Sequence, residues 1–149
     1  MEAVPNFQQF TYPNIKNELG EVRRIAIELF PLNEKFSVKS FIEEVKKSKL
    51  VPLKENLWAQ LENTDSYGIS LGCWDDVKYH AVDGNPEHPR DWQGLKRLME
   101  AKGSLEAPII LKYAENKYHL VSGNTRLMVA RALGVSPQIL LVDMSEQLN

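Results

Sequence analysis

The last third of the chain admits few folds. Ala107-Pro-Ile-Ile-Leu-Lys-Tyr113 reads as a strand, Glu115-Asn116 as a turn and Lys117-Tyr-His-Leu-Val121 as a second strand, so the spacing predicts a hairpin. Ser122-Gly123 breaks the alternation. Leu127, Ala130 and Leu133 then recur at helical spacing until Gly134, and Gln138-Ile-Leu-Leu-Val-Asp143 supplies a closing strand. Strands that alternate with helices bury both kinds of apolar face only in layers, which predicts α+β or α/β architecture.

Upstream, residues 1–20 combine Pro5, Asn6, Pro13, Asn14, Asn17 and Gly20 with the rings of Phe7, Phe10 and Tyr12. Turn-formers with anchoring rings predict an extended arm lying on the domain. Val22-Arg-Arg-Ile-Ala-Ile-Glu-Leu-Phe30 carries β-branched residues in partial alternation, stops at Pro31, and reads as a strand. Ser37 is a good helix N-cap, and Val38, Phe41, Ile42 and Val45 follow on one helical face. Leu53, Leu57 and Leu61 place a second helix from about Pro52. Trp74 to Val82 has the composition of a strand, and Asp83-Gly-Asn-Pro-Glu-His-Pro-Arg90 reads as a loop. Asp91 then caps a helix that turns Trp92, Leu95, Leu98 and Met99 inward, with Gly103 as its stop.

Composition narrows the class of protein. A length of 149 residues is the usual size of one domain, and 43% apolar with 26% charged residues is ordinary for a globular chain. Eighteen Lys and Arg against twenty Asp and Glu exclude a polycationic coat for nucleic acid. The charge is even along the chain: residues 1–90 hold 11 basic and 14 acidic side chains, and residues 91–149 hold 7 and 6. Cys73 is the single cysteine, so neither an intrachain disulfide nor a cysteine-rich zinc site can form. The first residues have no basic, apolar leader, and the apolar run Ile139–Val142 is far too short for a membrane span. These features predict a cytoplasmic protein with no membrane partner.

Chemistry concentrates at Ser122-Gly123-Asn124-Thr125-Arg126. Here a glycine sits where the chain must turn from strand into helix, and glycine alone permits the positive φ and close backbone approach such a turn can demand. The first helical turn has free N–H groups and a positive dipole end that attract an anion. Asn124 or Thr125 can cap the helix, and Arg126 can clamp a phosphate with two parallel hydrogen bonds. The same residues also suit an ordinary capped helix start, with Arg126 paired to a surface acid.

Across Ala107-Pro-Ile-Ile-Leu, Tyr118-His-Leu-Val-Ser-Gly-Asn-Thr-Arg-Leu-Met-Val-Ala-Arg-Ala-Leu-Gly134 and Ile139-Leu-Leu-Val, the chain resembles the nucleotide-binding core of the ParB/sulfiredoxin superfamily. The likeness lies in a Pro-Ile strand, a Tyr-x-Leu-Val-x-Gly strand, a Gly-x-x-Arg helix start and a closing apolar strand, over residues of about 91–143. It implies a mixed sheet with flanking helices and a nucleotide held at Gly123, with Arg126 as the motif arginine. Relatives bind CTP with a divalent cation, phosphorylate serine with ADP as donor, or repair a peroxidised cysteine with ATP; ParB relatives often form dimers. The resemblance also brings the segment before the Asp91 helix near the ligand, so that Arg90 and His88 approach a phosphate.

The departures have consequences. Asn124 replaces the cysteine of sulfiredoxin, which removes its chemistry, and ParB members carry Glu-Arg-Arg after the glycine where only Arg126 remains. Asparagine is a poorer magnesium ligand than a carboxylate, so metal-assisted hydrolysis is weakened. The sequence also carries no helix-turn-helix after the closing strand. Glu106, ahead of the Pro108 strand, is a candidate general base or magnesium ligand and equally a solvated acid. His80, Asp83, His88, Arg90 and Asp91 crowd one loop region, but their spacing matches no zinc signature. His119 reads as a side chain covering one sheet face; Trp58, Trp74 and Trp92 read as core, and Lys46-Lys47-Ser48-Lys49 as a solvated helix end.

The expectation is therefore one compact α+β domain of ParB/sulfiredoxin type: an arm over residues 1–20, an accessory strand and helices over 21–90, and the core over 91–149. Ser122, Gly123, Asn124, Thr125, Arg126, Arg90 and His88 would hold the phosphates of a nucleotide, with Mg²⁺ as companion and Glu106 as the catalytic candidate. Phosphohydrolase and phosphotransferase chemistry both stay open. So do a non-catalytic protein-interaction module of phage or mobile-element origin and a ParB-like DNA-binding protein or nuclease.

Overall fold

The computed structural model describes residues 10–101 and 105–148. Its centre is β5 (Ile109–Ala114), whose first three residues are buried. Alternating side chains of this strand enter different cores, Ile110 one and Ile109 and Leu111 the other. Period-two alternation sends neighbours to opposite faces, so both faces of the sheet must be covered. A three-layer arrangement follows.

The five-stranded mixed sheet runs β2 (Leu50–Pro52), β7 (Gln138–Asp143), β5, β6 (Lys117–Ser122) and β3 (Leu61–Glu62). β5 and β6 form the expected antiparallel hairpin, and Asn116 takes the left-handed turn conformation at φ 60°. β7 lies parallel to β5 after the crossover helix α6 (Asn124–Leu133), and β2 pairs antiparallel on its outer edge. Gly134, at φ 77°, ends α6 as the sequence indicates. A separate parallel pair joins β1 (Phe10–Thr11) to β4 (Leu105–Glu106). The whole is one α+β domain.

Helices α1 (Leu19–Glu28) and α2 (Val38–Val45) cover one face, where Val22, Ile25, Phe41 and Val45 meet Ile109, Leu111, Leu140 and Val142. Ser37 caps α2 as expected: its side chain accepts from the Ser40 amide, and the Ser40 hydroxyl accepts in turn from the Ser37 amide. The opposite face carries α3 (Glu55–Gln60), α4 (Trp74–Lys78), α5 (Trp92–Glu100) and α6. A short α7 (Ser145–Leu148) closes the chain. Trp58 is buried, whereas Trp74 and Trp92 stack face to face at 5.7 Å, half-buried, with Lys96 over the first ring.

Three sequence expectations are corrected. The predicted strand over 22–30 is α1. Burial of Val22 and Ile25, three apart, together with the ion pairs of Arg24 to Glu21 and Glu28, outweighs the β-branched composition. The predicted strand over 74–82 is α4 followed by a π-helical turn at Tyr79–Asp83, because Val77 and Ala81, four apart, face the core. The predicted helix from Pro52 begins only at Glu55, since Leu50–Pro52 is claimed by pairing with β7 and Leu61 opens β3. Asp91 does cap α5, accepting from the Gly94 amide, but that helix ends at Glu100. Gly103 lies outside the described residues, as does Phe7 of the arm; Phe10 and Pro13 are buried. No helix among the described residues is long and apolar enough to cross a membrane.

A helix puts Ile25 and Ile27 on different sides, and a strand would put them on one. Ile25 is 1% and Ile27 72% exposed. Ile25→Ala is expected to lower unfolding free energy by about 2–5 kcal/mol. Ile27→Ala should stay within about 0.5 kcal/mol of wild type. Urea denaturation followed by circular dichroism measures both, and equal losses would restore the strand.

Candidate functional site

The path from β6 into α6 is forced by Gly123. Its φ is 107°, and a Cβ built there would lie 2.6 Å from the Cβ and 2.8 Å from the Cα of Pro108. No other residue fits, on conformation and on space together. The turn leaves the first amides of α6 without intrahelical acceptors, and no side chain caps them.

These amides open on a cleft of about 1170 Å³. Ser122 to Arg126 form its floor, while Arg90, Asp91, Gly94, Arg97, Leu98 and Ala101 bring one wall from α5 and the residues before it. Asn17, Glu18, Gly20 and Glu21 bring the other wall from the start of α1. His80, Asn63 and Asn85 complete the rim.

Arg126 is mostly buried, and its Nη1 donates to the Glu106 carbonyl. Burial pulls its guanidinium below the ordinary arginine range, opposed by the more distant charges of Glu18 and Glu106. Arg126, Arg90 and Arg97 form no ion pair with any acid among the described residues. By contrast Arg24 pairs with Glu21 and Glu28, and Arg131 with Glu55. Arg90, Arg97 and Arg126 thus face the cleft with Glu18, Glu21 and Asp91 also on its lining, and the positive charge is least solvated at Arg126 beside the free amides of α6.

The structure thus gathers six sequence candidates into one cleft: Ser122, Gly123, Asn124, Thr125, Arg126 and Arg90. Two stand outside it. His88 is exposed on its loop, where its carbonyl accepts from Asn85 Nδ2 at 2.7 Å. The Glu106 carboxylate accepts from the Asn14 amide at 3.0 Å, and its backbone pairs with Thr11, so this acid fastens the arm. Asn124 does not cap α6; its Oδ1 accepts from Thr64 Oγ1 at 2.5 Å and from the Asp65 amide at 3.3 Å.

Sequence reading missed Arg97 and the acidic wall. Arg90, Gly94, Arg97 and Ala101 recur at helical spacing on the polar side of α5, a signal that was present. Glu18 and Glu21 were obscured by the strand reading of their neighbours. His119 lies elsewhere, within the sheet, 3.2 Å from Glu62. The same carboxylate accepts from the Tyr113 hydroxyl, and burial together with that bond pushes the phenol up to about 12.

Magnesium fits this cleft only in company. No group of three or more His, Cys, Asp or Glu among the described residues could hold a metal alone. Of the cleft-wall carboxylates, Glu21 is paired with Arg24 and Asp91 caps α5, which leaves Glu18, and a cation bound to phosphate oxygens needs only one or two such ligands.

Comparison with protein-family models, with curated proteins and with solved structures gives no match for this chain.

Gly123→Ala meets Pro108 and an unfavourable φ at once. A strained φ alone is worth about 1–3 kcal/mol, so a fall in thermal midpoint of several degrees is expected by calorimetry. An unchanged midpoint would mean that α6 starts differently.

Proposed function

We propose that the chain is a nucleotide-binding domain of ParB/sulfiredoxin type, with the phosphates seated in the cleft at Gly123–Arg126. The observation that carries this reading is the set of three arginines, Arg90, Arg97 and Arg126, lining one cleft without carboxylate partners beside an uncapped helix start. The order hairpin, glycine turn, helix, parallel strand, which carries the sequence resemblance, supports it.

In this reading the amides at the head of α6 donate to phosphate oxygens along the helix dipole. Arg126, already desolvated, contributes charge that needs little reorganisation when an anion arrives. Arg90 and Arg97, on the exposed wall, reach the outer phosphates. Magnesium, where it accompanies the nucleotide, neutralises phosphate charge with Glu18 as the protein carboxylate. With Glu106 fastened to Asn14, the function we propose is binding, with no proton-transfer role for that residue.

Isothermal calorimetry with nucleoside triphosphates, with and without Mg²⁺, tests the proposal. A saturable Kd in the micromolar range corresponds to about −8 kcal/mol. Arg97→Ala and Arg90→Ala change exposed side chains and should each weaken binding tenfold or more, since a hydrogen bond to a charged group is worth about 1.5–3 kcal/mol. Arg126→Ala should abolish binding, with folding checked separately because its guanidinium also holds the Glu106 carbonyl. A folded protein that gives no heat with any nucleotide or with pyrophosphate overturns the reading and leaves a protein-interaction module.

A further inference from the structure

Asparagine offers a donor at one end of its amide and an acceptor at the other, and the end facing a ligand decides which ligand it serves. At Asn124 the neighbours settle this. The Asp65 backbone N–H can only donate, so the side-chain atom 3.3 Å from it is the carbonyl oxygen. Thr64 Oγ1 lies 2.5 Å from that same oxygen and therefore spends its single proton there.

The chain of bonds continues inward. With its proton committed, Thr64 Oγ1 can only accept from Ser66 Oγ, 2.7 Å away, and it also accepts from the Ser66 amide at 3.0 Å. Ser66 is fully buried, and its oxygen accepts in turn from the Trp58 indole N–H at 2.7 Å. The hydroxyl directions are thus set by two donor-only groups, the Trp58 indole at the inner end and the Asp65 amide at the outer, giving a single relay from Trp58 through Ser66 and Thr64 to Asn124. Three hydrogen bonds in line, the innermost of them buried, together with the Asp65 amide leave no inexpensive way to turn the Asn124 amide over.

What remains of Asn124 is its Nδ2, which has no partner among the described residues, on a side chain that lines the cleft. The geometry points to Asn124 as a specificity-determining residue whose amide is locked donor-outward by the Trp58–Ser66–Thr64 relay, so that this corner of the cleft takes an anionic phosphate oxygen and refuses a metal ion. The inference rests on the anion-binding reading above and adds a direction to it. Donors alone face the ligand here: the Asn124 amide, the first N–H groups of α6 and the Arg126 guanidinium. A cation approaching the same corner finds no oxygen from Asn124, because both lone-pair directions of Oδ1 are spent on Thr64 and Asp65.

Titration of uniformly ¹⁵N-labelled protein with inorganic pyrophosphate tests this. The Asn124 side-chain NH₂ pair is assigned by its loss in Asn124→Asp, and it should shift in step with saturation. Thr64→Val, which deletes the hydroxyl and keeps the shape, should weaken pyrophosphate binding about tenfold and decouple the NH₂ shift from binding, whereas Thr64→Ser should restore both. Asn124→Asp keeps the acceptor for Thr64 and Asp65 but replaces the donor by a charge, and should weaken binding more than tenfold. If wild type binds pyrophosphate while the Asn124 NH₂ pair stays fixed, the inference falls and the nucleotide reading stands. If wild type binds nucleotides but not pyrophosphate the inference alone falls, and if it binds neither, both fall.

Discussion

The close pass of Gly123 over Pro108 is the contact on which the rest of the architecture depends. Pro108 opens the central strand, and its carbonyl accepts the Leu140 amide at 2.8 Å, which ties in β7. Its ring and Cα at the same time define the space into which only a glycine turn fits. One residue thus fixes where β7 joins the sheet and where α6 begins. The position of the α6 amides then follows from sheet geometry, set by backbone rather than by mobile side chains.

From that point a second set of contacts runs outward. Arg126, in the first turn of α6, holds the Glu106 carbonyl, and the Glu106 carboxylate holds the Asn14 amide. Thr11 and Phe10 pair in parallel with Glu106 and Leu105, and the same segment leads into α1, whose start supplies the acidic wall of the cleft. The cleft therefore has one wall carried by α5 and one carried by the start of α1, which is held by the short strand pair and by the burial of Val22 and Ile25. Both walls are anchored in the core: α5 is capped by Asp91 and buries Met99, while α1 starts without a side-chain cap and buries Val22 and Ile25.

The sequence made the core of this arrangement legible and hid its borders. Residues 109–143 were readable because each element agrees with its neighbours. The hairpin turn has Asn116 at positive φ, the helix is bracketed by Gly123 and Gly134, and β7 is an uninterrupted apolar strand. Val22–Phe30 misled because its isoleucines at 25 and 27 alternate as a strand would. The decisive signal was electrostatic, with Glu21, Arg24 and Glu28 at helical spacing. Trp74–Val82 misled because aromatic and β-branched composition outweighed a weak i, i+4 pair, Val77 and Ala81, that only burial reveals. In the site, the glycine turn and Arg126 were visible as a motif. Glu106 looked catalytic because nothing in a linear sequence shows that Asn14, 92 positions away, would claim its carboxylate.

The same gap in linear information explains why Asn124 is best understood from the fold. In sequence it is one polar residue after a glycine, and capping is its natural role. In three dimensions Gly123 holds the N-cap position, Asn124 is the first helical residue, and the turn at Thr64–Ser66 reaches across and takes its side-chain oxygen. With glycine at the N-cap, as at Gly123, the lack of a capping side chain costs only about a few tenths of a kcal/mol. The start of α6 lacks a side-chain cap, as do those of α1, α3 and α4, while Ser37 caps α2 and Asp91 caps α5 on the wall of the cleft itself. What sets the start of α6 apart is the buried Arg126 guanidinium beside its free amides, so an anion seated there would gain hydrogen bonds that the fold leaves unmade. The cleft is accordingly shaped as much by bonds left unmade as by those formed.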